Sequence, residues 1–144
     1  MICALMIGFA FLFTGEAQQG ANSQPSTSPI PMSGSVDVLS KAALWGDATA
    51  AWQLMEYYMY EKNMDPKYKY WTLIGAENGD PGAQFNEYNI LSGSDDPMDW
   101  RRAYYWLRKA VENRAPYSKI EMDRCFPFGH FESMKKECFG SRRP

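Results

Sequence analysis

Apolar residues recur along this chain with the period of a helix, most clearly between residues 99 and 113. Ala103, Trp106, Leu107, Ala110 and Val111 fall at i, i+3, i+4, i+7 and i+8, which is one face of an α-helix. Arg101, Arg108, Lys109 and Glu112 fall elsewhere and can be solvated. Pro97 breaks whatever precedes this helix, and Asp99 stands where an N-cap is wanted. Further upstream, Ala50, Leu54 and Tyr58 form a second apolar line, and Ala83 and Leu91 take the matching places later in the chain. Between the two lines, Gly79-Asp80-Pro81 reads as a helix stop, a capping acid and a first-turn proline.

These helical stretches repeat. The strings Lys41-Ala42-Ala43-Leu44-Trp45-Gly46, Ile74-Gly75-Ala76-Glu77-Asn78-Gly79 and Lys109-Ala110-Val111-Glu112-Asn113-Arg114 are spaced by 33 and 35 residues. The aromatic pairs Tyr70-Trp71 and Tyr105-Trp106 precede the second and third strings, and Pro81 and Pro116 follow them. A period in the mid-thirties is the signature of a two-helix unit. The next helix is expected to start after the Gly-Asp or Arg-Ala step that closes each string.

The beginning of the chain has a different character. Ile2 to Phe13 is a run of apolar and small residues, followed by Gly15-Glu16-Ala17. The run is too short for a membrane-spanning helix and suits the apolar core of a secretory signal. No Lys or Arg precedes Lys41, so the usual basic start is missing. The competing reading is a buried N-terminal segment. Residues 18–35 lack charge and hydrophobic period and are rich in Pro, Ser and Gly, as a flexible linker is. The expected organisation is a signal over 1–17, a linker over 18–35, a repeat domain over 36–139 and a tail over 140–144.

The stretch Asp99-Trp100-Arg101-Arg102-Ala103-Tyr104-Tyr105-Trp106-Leu107-Arg108-Lys109-Ala110-Val111-Glu112-Asn113 resembles the Sel1-like repeat, a relative of the tetratricopeptide repeat. Trp71 to Gly79 is similar to the same pattern, and Lys41 to Gly46 looks like its end. The resemblance covers roughly residues 36–126. It implies an all-α fold, an α-solenoid of antiparallel helix pairs with about two full repeats plus caps. Four residues depart from the family pattern. Met55 and Tyr88 stand where it has a glycine at a helix crossing, Glu87 replaces its conserved leucine, and Tyr68 replaces an alanine. The first unit is therefore expected to be splayed or repacked, its groove partly filled by aromatics.

A repeat stack needs caps over its apolar ends. Val36 to Trp45 would cap one end; Tyr117 to Phe126 and Phe131 to Phe139 would cap the other. Cys125 and Cys138 fall in those last two segments. In an exported protein a disulfide is the natural reading, closing a loop worth about 3 kcal/mol by the chain-entropy estimate. The alternatives are two buried free thiols, or a metal site with His130, which would lack an obvious fourth ligand. Cys3 would leave with the signal.

Composition narrows the functional classes. Hydrophobic residues make up 45% of the chain and the net charge is −2. That is enough apolar material for a core, and there is no basic stripe of the kind nucleic-acid binding requires. His130 is the only histidine, so any histidine-based nucleophilic chemistry would have to use it. It sits in an aromatic-rich turn, where a structural or exposed role is the commoner one. Asp95, Asp96 and Asp99 could do acid–base work or hold Ca²⁺, but acidic residues between helices more often serve as caps. No phosphate loop or nucleotide fingerprint occurs. The expectation is therefore a non-enzyme with no cofactor and no resident metal.

Stacked helix pairs would leave a groove lined by the first helix of each unit. Its expected contact residues are Gln53, Glu56, Tyr57 and Tyr60 on one helix, and Asn86, Tyr88 and Asn89 on the next. Tyrosine suits such a role because it buries a large area and keeps a polar handle. The resemblance implies protein binding in the envelope. Its sharpest form is an immunity protein against a lipase toxin of type VI secretion. The alternatives are a periplasmic adaptor for a resident protein and, last, a small hydrolase using His130.

Overall fold

The computed structural model describes residues 33–140. The expected signal, residues 18–32 of the expected linker and residues 141–144 lie outside them. The described residues are all-helical. Six α-helices run in order: α1 (Ser33–Leu44), α2 (Ala48–Glu56), α3 (Lys67–Glu77), α4 (Pro81–Ser92), α5 (Pro97–Glu112) and α6 (Ser118–Cys125). A π-helical turn, Tyr57–Glu61, extends α2, and two short 3₁₀ turns, Phe131–Ser133 and Lys136–Cys138, follow α6. α1 begins at Ser33, so the last three residues of the expected linker belong to a helix.

Each helix packs mainly on its neighbours in sequence, α1 on α2, α2 on α3, α3 on α4, α4 on α5 and α5 on α6. The three repeated strings build one turn three times. Gly46, Gly79 and Arg114 all take positive φ, at 104°, 91° and 59°. In each turn the next amide reaches back to the helix end: Asp47 N–H to Ala42 O at 3.0 Å, Asp80 N–H to Gly75 O at 3.0 Å and Ala115 N–H to Ala110 O at 2.8 Å. These are the bonds of a left-handed helix stop. Glycine adopts the required φ without strain, whereas Arg114 must bear it.

The capping acids then start the next helix. Asp47 Oδ1 accepts from Ala50 N–H at 3.0 Å, and Asp80 Oδ1 from Ala83 N–H at 2.6 Å. The third turn lacks such an acid, and α6 starts later, after Tyr117 at φ 64°. One expected cap moves. Asp96, not Asp99, caps α5, accepting from Met98 N–H at 2.8 Å. Pro97 is the first residue of that helix rather than a breaker before it, since a proline lacks the N–H that a first turn leaves unused. Asp99 lies in the first turn and pairs with Arg102 at 3.3 Å.

The core has two parts. Ala43, Ala50, Ala51, Leu54, Met55 and Trp71 form the first. The second includes Ala83, Tyr88, Leu91, Ala103, Trp106 and Leu107 together with Phe126 and Phe139 from the C-terminal segment. The apolar face expected on α5 is where it was read: Ala103, Trp106, Leu107 and Ala110 are buried and Val111 is partly so. α2, α3 and α4 approach closely at Gly75, where a Cβ would stand 3.0 Å from Ala83 Cβ and 3.5 Å from Ala51 Cβ.

Cys125 and Cys138 are joined by a disulfide, with Cα atoms 5.9 Å apart. Both thiols are consumed, so the free-thiol and metal-ligand alternatives do not describe this pair. The bond fastens the C-terminal segment over α4 and α5. Phe139 packs on Trp100 at 5.6 Å and on Phe126 at 5.7 Å between ring centroids. Gly140 N–H donates to Ser92 O at 2.8 Å. No helix among the described residues is long and apolar enough to cross a membrane.

Candidate functional site

The expected groove residues meet different fates. Gln53 is exposed, and Tyr60 is 69% exposed, on α2 and its π-helical extension. Glu56, Tyr57, Asn86 and Asn89 are half-buried. Tyr57 stacks edge-on against Tyr58 with centroids 5.1 Å apart, and the Lys62 ammonium lies 5.2 Å from its ring. Tyr88 is not a surface residue. It is fully buried, and its hydroxyl donates to Glu121 Oε1 at 2.6 Å. α4 packs on both α3 and α5, and the Tyr88 ring is enclosed by Phe85 at 5.8 Å and Phe139 at 6.5 Å between centroids.

A better-defined concavity opens elsewhere, between α3 and α5. Leu73, Glu77, Met98, Arg101, Arg102, Tyr105 and Trp106 line a cleft of about 370 Å³. Its aromatic wall is one of two repeated pairs, Tyr105-Trp106. Tyr70 meets Trp71 edge-on at 4.9 Å and 75°, and Tyr105 meets Trp106 at 5.0 Å and 72°. In both pairs the tryptophan is buried and the tyrosine is about half exposed, 49% for Tyr70 and 52% for Tyr105. Met98 is exposed beside them. The same pair thus serves two ends: the indole fills the core, and the phenol is presented at the surface of two helices.

The cleft is bordered by charge. Arg102 pairs with Asp99, and the Arg101 guanidinium lies 4.6 Å from the Phe131 ring centroid. On α4, Glu87 is 4% exposed. Burial pushes its carboxyl above the ordinary value of 4.5. Arg102 opposes that rise, while Glu77 and Asp99 add to it and Lys69 counters. All four of these residues stand on α3 or α5.

The other chemical candidates are dispersed. His130 is exposed, with Nδ1 3.4 Å from Glu132 Oε2 and its ring stacked on Phe128 at 6.2 Å. The Ser133 hydroxyl donates to the His130 carbonyl rather than to its ring, so these two residues do not form a nucleophile–base pair. Of the three loop aspartates, Asp96 is a cap, Asp99 an ion-pair partner, and Asp95 Oδ1 lies where a Cβ on Gly140 would meet it.

The sequence held one signal for the cleft, the Tyr105-Trp106 pair that stands on its α5 wall. It did not reveal that α3 and α5 frame a common opening, because that depends on how the helices pack. No family model matches the chain, and no curated protein or solved structure is significantly similar to it.

Proposed function

We propose that this chain is an exported, non-catalytic Sel1-like α-solenoid, built of antiparallel helix pairs, that works by holding a protein partner. Its sharpest form is an immunity protein that neutralises a lipase toxin delivered by type VI secretion into the bacterial envelope. The observation that carries the binding reading is the repeated presentation of Tyr70 and Tyr105, each half-exposed over a buried tryptophan on successive units. Rigid aromatics with a polar tip are what interface hot spots are made of, and Tyr105 also lines the open cleft. The thrice-built turn supports the repeat assignment. The Cys125–Cys138 bond supports an oxidising compartment.

The test is direct. The chain, expressed with its own leader, is combined with the product of each adjacent gene in envelope-targeted form. Survival of the cells, together with a one-to-one complex in titration calorimetry, is the expected result. If no neighbouring product is toxic or bound, the immunity form fails. Recovery of one resident envelope protein instead would select the adaptor reading. Mass spectrometry of the exported protein should find Cys125 and Cys138 unreactive to alkylation without a reductant; two alkylated thiols would remove the support for export.

A further inference from the structure

The three matched helix ends differ in one respect. Glu77-Asn78 closes α3 and Glu112-Asn113 closes α5, but Leu44-Trp45 closes α1. Each asparagine ties its helix back to the matched helix before it. Asn78 Nδ2 donates to Ala43 O of α1 at 2.7 Å. Asn113 Nδ2 donates to Gln84 Oε1 at 2.9 Å, and Gln84 Nε2 donates to Ala76 O of α3 at 3.2 Å. Two turns earlier, Trp71 and Trp106 are buried. α1 has no helix before it among the described residues. The residues that match these on α1 are Val38, 68% exposed, and Trp45, 90% exposed, with Leu44 beside them at 56%.

A helix end that faces water would keep the Glu-Asn of the other two. Leu44-Trp45 builds an apolar patch instead. Asp37, Val38, Lys41, Leu44 and Trp45 fall at i, i+1, i+4, i+7 and i+8, one face of α1, and all five are exposed. An apolar patch rimmed by charge marks a surface of association, and tryptophan is the residue type most enriched at interface hot spots.

The charges on this face identify the occupant. Asp37 and Lys41 stand one helical turn apart, and neither is in an ion pair with a described residue. A twofold axis crossing α1 midway between them sets Asp37 of each copy against Lys41 of the other. The face is thus complementary to itself, as an isologous contact requires. At the far end of the stack Tyr117 and Ile120 of α6 are exposed. A head-to-tail stack onto that end would call for asparagine at position 45, the residue that makes the tie at 78 and 113.

We propose that the exposed face of α1 is a homodimer interface, in which α1 of two copies packs antiparallel about a twofold axis. The Asp37–Lys41 pairs flank the axis, and Val38, Leu44 and Trp45 supply the apolar contact. This goes beyond the partner-binding reading, because none of the cleft residues lies on this face.

The chain, expressed with its own leader and purified, is followed by sedimentation velocity from about 1 μM to about 1 mM. A monomer–dimer equilibrium is expected within that range, with a dissociation constant raised at least about tenfold in Trp45→Asn. That variant installs the residue of the other two helix ends at a position 90% exposed, so its thermal unfolding should match the wild type. Asp37→Lys should weaken the dimer at least about threefold by opposing like charges, and adding Lys41→Asp should restore it. A monomer at every concentration overturns the proposal, whether the patch stays bare or residues before Ser33 cover it. Assemblies that grow past two with concentration do so as well, since they report a head-to-tail stack. A dimer indifferent to Trp45→Asn, or one that the double charge swap leaves weakened, is equally fatal.

Discussion

At matched positions of α2 and α4, Ala51, Leu54 and Met55 become Gln84, Glu87 and Tyr88, and all six are buried. The helix stops on either side of them are built alike, with Gly46 and Gly79 at positive φ and Asp47 and Asp80 as caps. The two units therefore share their backbone devices and differ in what they enclose. The first interior is apolar and asks only to be filled. The second is polar, and each polar atom needs a partner when water is removed. Gln84 finds two and Tyr88 finds Glu121, through contacts with α3, the residue after α5, and α6. Glu87 finds none among the described residues. Like helix stops and caps can thus frame interiors of different chemistry.

The largest effect that would test this contrast is expected in the first unit. Leu54→Ala leaves a cavity among Ala50, Met55 and Trp71 and should lower unfolding free energy by about 2–5 kcal/mol in urea titration. A loss below about 1 kcal/mol would show that the first interior is loose rather than close-packed. Next comes the clamp on the second unit. Replacing Cys125 and Cys138 together by alanine should cost about 2–4 kcal/mol, from the closed loop of sequence separation 13. The reductant sensitivity of the wild type should vanish in that variant.

The opposite sign is expected at Glu87. Glu87→Leu should stabilise by about 1–3 kcal/mol, since an unpartnered buried charge is replaced by an apolar side chain of similar volume. The pH dependence sharpens this. Folding raises the Glu87 carboxyl above 4.5, so the native state binds its proton more tightly than the unfolded chain does. Its contribution favours the fold below that value and is lost as pH rises through the raised one. The stability of Glu87→Gln relative to wild type should therefore grow between about pH 4 and neutrality; a flat difference would mean that the carboxylate is already neutralised. The smallest effect belongs to the third turn. Arg114→Gly places glycine at φ 59°, as in the first two turns, and should gain up to about 1 kcal/mol in thermal unfolding.

Residue pattern alone located much of this. The spacing of the three strings foretold three equivalent helix stops, and Gly79-Asp80-Pro81 foretold the start of α4 to the residue, because caps and left-handed turns depend on local chemistry. The α5 face was legible because that helix is buried on one side only, so its sequence alternates with the helical period. α4 was not legible in the same way. It is covered by α3 and by α5, and a helix buried on two sides loses its polar stripe, so Tyr88 read as a surface contact. The start of α5 was displaced for a smaller reason: Asp96 and Asp99 both qualify as caps by type, and the position of Pro97 decides between them.

What the sequence determined by itself is the set of local events: helices, stops, caps, the pairing of Cys125 with Cys138 as one of three readings, and the oddity of a glutamate at a leucine position. The tertiary structure decided which side chains share an opening. Leu73 and Glu77 share an opening with Met98, Arg101, Arg102, Tyr105 and Trp106 only because α3 and α5 both pack on α4. Contacts between units arise from packing, which is non-directional and spread over many residues. No local pattern encodes them, and the cleft became visible only when the helices were in place.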